Sequence, residues 1–171
     1  MRRAAALHWS VVLVVIVALI VSCAPTYDEQ TDRQIAVVQQ EVDAGLVRLI
    51  TLGRRIDVLG KLDDPASRKA LAEARAKASY DANLDFYDKV DTDLTSLQLR
   101  IAATPDLSAT KLNEAIKAIR DNIDDLRQYQ SRHEFISAGA VSLIRGPINQ
   151  QFEALMHYEL NLKSGRNAGS A

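Results

Sequence analysis

The chain has one cysteine in 171 residues, Cys23. A single thiol excludes an intrachain disulfide framework and the paired-cysteine motifs of zinc, redox and covalent haem sites. Glycine (7) and proline (4) are scarce, which disfavours the many turns of β architecture and favours long helices. Neither sign of charge prevails: 21 Lys and Arg stand against 22 Asp and Glu, a net of −1. No run of Lys/Arg stands out, so the electrostatic footprint of a nucleic-acid binder is missing. Gly-x-Ser-x-Gly, His-Glu-x-x-His and a glycine-rich phosphate loop are absent as well. These absences point to a non-enzymatic domain without cofactor.

What is present begins with a leader. Arg2 and Arg3 precede Leu7 and Trp9, and Val11 to Val21 is unbroken apolar. The segment closes on Ile20-Val21-Ser22-Cys23. Basic, then apolar, then small residues before a cleavage point is the order of a secretory signal peptide. The competing reading is an uncleaved transmembrane anchor. The unbroken run rises only about 16 Å as a helix, against roughly 30 Å of hydrocarbon. Counting from Ala4 to Ser22 brings the segment close to spanning length, but His8 and Ser10 interrupt that longer run near its start.

The four closing residues resemble the lipobox of bacterial lipoproteins, in which an aliphatic residue and two small ones precede an obligatory cysteine. The resemblance covers the N-terminal segment alone. It implies that residues 1–22 are removed and that Cys23 is lipidated on its sulfur and on its new amino group. A cysteine bearing three chains would leave a membrane very slowly. In enterobacterial lipoproteins an Asp after the cysteine favours inner-membrane retention. Ala24 stands there instead, so the resemblance implies the periplasmic face of the outer membrane. Residues 23–30 then read as a lipidated tether.

Residues 31–163 read as a helical domain. Thr31 with Gln34 fits a capping box, and Ile35, Val38, Val42, Leu46, Leu49, Leu52 or Gly53, Ile56 and Leu59 recur in steps of three and four. Gly60 is a natural stop. Asp64-Pro65 reads as an N-cap followed by an N1 proline, and an alanine-rich stretch follows. A break is possible at Ser79 to Asp81, before a sharper stripe of Leu84, Tyr87, Val90, Leu94, Leu97 and Ile101. Thr104-Pro105 ends that stripe. Ser108 would cap a third helix with Leu112, Ile116, Ile119, Ile123 and Leu126 on one face, continued by Gln130 and His133. The last helix takes Val141, Ile144, Ile148, Phe152, Leu155 and Leu162, with Pro147 either kinking or restarting it. Residues 164–171 read as a disordered tail. Such stripes can bury themselves only against one another, so the expected fold is all-α: an elongated antiparallel three- or four-helix bundle.

Few side chains suggest chemistry. Glu153 and His157 are four apart on one helix face, with Glu159 nearby, and Glu134 adjoins His133. The paired Glu-x-x-His spacing of a bundle di-metal site is absent, so no metal is expected. Met156 and His157 are adjacent on one helix, the wrong geometry for opposite ligation of one iron. Leu94-Thr95-Ser96-Leu97-Gln98 is similar to a Leu-Thr-x-x-Gln motif of small periplasmic helical chaperones. It occurs once, in mid-helix, and the core stripe accounts for both leucines. Phe86 and Tyr87 cannot both enter a narrow core, so one is a bundle-edge residue or an exposed anchor for a partner. The functional expectation is an envelope lipoprotein that holds the membrane through Cys23 and offers helical faces to a protein partner. A periplasmic chaperone or carrier of a small apolar ligand is the alternative, and a metal-dependent enzyme comes third.

Overall fold

A computed structural model describes residues 29–103 and 109–168. The leader, Cys23, most of the tether and the capping position Ser108 lie outside the described residues. Those described are all-α, with five α-helices, one 3-10 turn and no strand. In chain order the helices are α1 (Glu29–Leu59), α2 (Pro65–Lys77), α3 (Leu84–Ala103), α4 (Ala109–Arg132) and α5 (Ala138–Ala168), with the 3-10 turn Asp81–Asn83 before α3.

α1 starts two residues before the expected cap. Thr31 lies inside the helix and is buried, one turn before Ile35 on the same face. Glu29 and Asp32 place carboxylates in the first turn, where the helix dipole favours them. At 31 residues α1 is about 46 Å long. Its apolar face is wider than one stripe because it meets three neighbours, α2, α3 and α5. Ile35, Val38, Val42, Leu46 and Leu49 enter the main core, while Leu52, Ile56 and Leu59 turn toward a second, smaller cluster.

The alanine-rich stretch is a helix of its own. Asp64 caps α2 by accepting a hydrogen bond from the Ser67 N–H at 2.9 Å, with Pro65 at the first turn. The break before α3 is real, so the described residues form five helices where the sequence suggests three or four. Asn83 Nδ2 donates to the carbonyls of Lys77 (3.1 Å) and Ser79 (2.7 Å), taking acceptors at the end of α2, and Gln130 takes that of Ala78.

Pro147 neither restarts nor divides α5, which runs unbroken through it. The proline cannot donate to the Leu143 carbonyl four residues back, but Leu143 is 79% exposed and water can serve that oxygen. The helix also continues to Ala168, into the stretch expected to be a disordered tail; no proline follows Pro147 to stop it.

Four helices touch in a ring. α1 packs on α3 and α5, and α4 packs on α3 and α5. Contacts between α1 and α3 run in opposing order: Arg48 meets Asn83, Gly45 meets Phe86, and Glu41 meets Lys89. α3 and α4 do the same, from Tyr87 with Gln130 to Gln98 with Arg120. So do α1 and α5, where Gly53 lies on Ala138 and Asp43 on Arg145. The core inside the ring joins Leu46, Leu49, Leu94, Leu97, Ile116, Ile119, Leu126, Ile148, Phe152 and Leu155, all fully buried.

Candidate functional site

Polar side chains converge most densely where α2 ends and α3 begins. Tyr87 (1% exposed) and Gln130 (0%) are buried there. The Tyr87 hydroxyl donates to Gln130 Oε1, and Gln130 Nε2 donates to the Ala78 carbonyl at 2.7 Å. One amide on α4 therefore satisfies both a core phenol and a carbonyl just past α2. Asn83, also buried, accepts from Arg48 Nη2 at 2.9 Å through its Oδ1 while its amide nitrogen serves Lys77 and Ser79. Arg127 Nε donates to the Tyr80 hydroxyl, and its Nη2 donates to Asp88 at 3.1 Å.

Burial pushes the Tyr87 phenol well above its usual value, and the nearby Tyr80 adds to the rise. The phenol therefore keeps its proton and donates it to Gln130 in a hydrogen bond. Hydrogen bonding to Tyr80 and the charge of Asp88 hold Arg127 firmly protonated.

An open groove of about 490 Å³ runs between α1 and α3. Phe86 forms one wall and lies over Gly45, where an added Cβ would meet the ring at 2.1 Å. The adjacent aromatics thus divide the work: Tyr87 enters the core and Phe86 is a half-buried edge residue. Three of the groove's charged side chains are tied within the protein. Lys89 pairs with Glu41 at 2.7 Å and Asp93 at 2.9 Å, and Arg48 is held by Asn83.

The residues that sequence reading considered for chemistry are scattered. His133 is exposed, contrary to its place at the end of the α4 stripe. α4 stops at Arg132, and the imidazole instead stacks on Tyr129 with ring centres 4.0 Å apart. Glu134 lies 3.8 Å from Arg75 of α2. Glu153 and His157 are both exposed, whereas Glu159, on another face of α5, is buried. No group of three or more His, Cys, Asp or Glu that could hold a metal occurs among the described residues. Leu94 and Leu97 are core residues, and Thr95 and Gln98 accept hydrogen bonds from Arg120 of α4. The Leu-Thr-x-x-Gln stretch is accounted for by packing against α4. Cys23 lies outside the described residues.

What sequence reading missed is the set of long-range polar ties. Asp43 of α1 receives both Nε (2.6 Å) and Nη2 (3.0 Å) of Arg145 on α5, and Asn149 adds a longer bond. Arg145's hydrogen bond is the chief reason that the Asp43 carboxyl sits below its usual range. The two partners are 102 residues apart, so no local spacing could reveal the pair. Comparison with protein-family profiles, curated proteins and solved structures finds no match to this chain.

Proposed function

We propose that the protein is a lipid-anchored, non-enzymatic component of a bacterial envelope: an elongated antiparallel four-helix bundle, flanked by α2 and hung from a membrane by Cys23. The observation that carries this reading is Ile20-Val21-Ser22-Cys23 at the end of an apolar leader. The helical domain begins close behind it. From Cys23 to Glu29 is six residues, which reach at most about 21 Å even if extended. No helix among the described residues is long and apolar enough to cross a membrane, so the described domain offers no span of its own. The opposing order of contacts between α1 and α3, α3 and α4, and α1 and α5 supports the bundle arrangement.

On this reading the start of α1 and the end of α3 lie toward the membrane, and α2 lies at the far end. Ala24 favours the outer membrane, periplasmic side. The role is to present helix faces to another envelope protein, with confinement at the membrane raising the local concentration of both. The alanine-rich α2, which a ligand carrier could use as a groove wall, docks on Ile56 through Ala74 and Ala78; the open groove of about 380 Å³ along its other side mixes Leu71, Ala72 and Ala76 with the charged Arg68, Arg75 and Glu134, so the carrier reading stays second.

The test is crosslinking in the native host with a photoreactive residue at exposed positions such as Leu99 and Leu143, and the same positions in Cys23→Ala. A specific crosslinked envelope protein that disappears in Cys23→Ala is expected. Wild-type chain that forms no specific adduct at any exposed position would overturn the partner role.

A further inference from the structure

We propose that α2 is a strap that lifts off the four-helix ring and melts as one cooperative unit, well before the rest of the protein opens. Among the described elements, α2 packs only on α1 and the 3-10 turn, with Arg75 also reaching Glu134 and the Phe135 ring in the segment after α4, whereas each of the other helices has at least two helical neighbours. Its apolar hold is slight. Ala74 is the one buried residue within α2, with Ala78 just beyond its end, and alanine buries little area.

The cluster they enter is separate from the main core. It consists of Ile56, Ala74 and Ala78, flanked by Leu52, Leu59, Leu71 and Phe135. Non-helical segments bracket the strap, residues 60–64 before it and 78–80 after it. The ties are unequal at the two ends. The C-terminal end is held by Asn83 at Lys77 and Ser79 and by Gln130 at Ala78. At the N-terminal end, Asp64 and Arg68 bond only within residues 63–68.

Thirteen residues are too few for a stable isolated helix in water. Once undocked, α2 therefore loses its helical hydrogen bonds together, swinging about the 78–83 junction. Opening uncovers Ile56, with Leu52, Leu59 and Phe135 beside it, as an apolar strip at the end of α1 remote from Cys23. This inference stands apart from the anchoring proposal, because it concerns only contacts within residues 52–135.

Native-state amide exchange on the full-length chain, extracted in detergent, tests it. The amides of α2 should exchange as a block, at least about 100-fold faster than the slowest amides of α4 and α5. Asp64→Ala, which removes the exposed cap, should speed the α2 block about fivefold and leave α4 unchanged. Three results would overturn the strap: α2 as slow as α4, rates graded along α2 as in end-fraying, or an Asp64→Ala effect that is absent or equal throughout the protein.

Discussion

Gly53 and Gly139 are two helical glycines with opposite surroundings, and they separate packing from propensity. A Cβ on Gly53 would lie 2.4 Å from the backbone nitrogen of Ala138, which cannot swing aside as a side chain can. At Gly139 an added Cβ meets nothing within 4 Å. Gly53→Ala should therefore destabilise by about 1–3 kcal/mol despite alanine's better helix propensity. Gly139→Ala should stabilise by about 0.4–1 kcal/mol. Thermal melts followed by circular dichroism would show the two midpoints moving apart; a Gly53→Ala midpoint at or above wild type would contradict the close approach. The sequence left open whether Leu52 or Gly53 faced the core. Both do, toward different partners: Gly53 lies against α5 and Leu52 against the cluster under α2.

The Asp43–Arg145 pair belongs to the same scale. Both side chains are about a third exposed, so solvent screening limits the pair to about 0.5–1 kcal/mol even with two-point geometry. The folded-state pKa of Asp43 is lowered, so its contribution is complete above the usual value of 3.8 and is lost as pH falls through the lowered value. The stability difference between wild type and Asp43→Asn, measured by urea unfolding across pH, should be constant from pH 7 to 5 and shrink below about 4. A difference that grows on acidification would contradict the pairing. Nothing near Asp43 in sequence could reveal this partner. The apolar stripe of α1, by contrast, was legible because a helix returns every three or four residues to one face, whatever it packs against.

Among the elements, α2 and α5 show how far local signals reach. The Asp64-Pro65 start of α2 was readable because an N-cap and an N1 proline act within one turn. The break after it was only a possibility in the sequence, because Asn83 and Gln130 complete it, and Gln130 comes from 52 residues away. Pro147 gave the opposite lesson. A mid-helix proline signals a kink or restart, but whether it divides a helix depends on where the freed carbonyl points. Here Gly146 and Pro147 are exposed and the buried face continues through Val141, Ile148, Phe152 and Leu155. Pro147→Ala restores a backbone donor without disturbing the core, and should stabilise by about 1–3 kcal/mol. Chemical denaturation would reveal it as a higher midpoint at unchanged slope. A lower midpoint would mean that the ring packs on something essential.

At the scale of the molecule, the class of fold was written in composition and periodicity: few glycines and prolines, and stripes that need one another. The count of helices was not, because it turned on one buried asparagine and one buried glutamine. The proposed position of the domain in the cell rests on the resemblance of Ile20-Val21-Ser22-Cys23 to a lipobox alone, with only six residues from Cys23 to Glu29. If the proposed anchor and strap both hold, the protein would meet partners mainly with its far end and its long sides.

The most direct measurement is the intact mass and N-terminal peptide of the protein isolated from its native membrane. A lipid-anchored protein should yield a chain that begins at Cys23 and carries a diacylglycerol on sulfur and an acyl group on the amino nitrogen, with Cys23→Ala retaining its leader. A wild-type chain that begins at Met1, or one that ends its leader elsewhere and keeps a free thiol at Cys23, would contradict it.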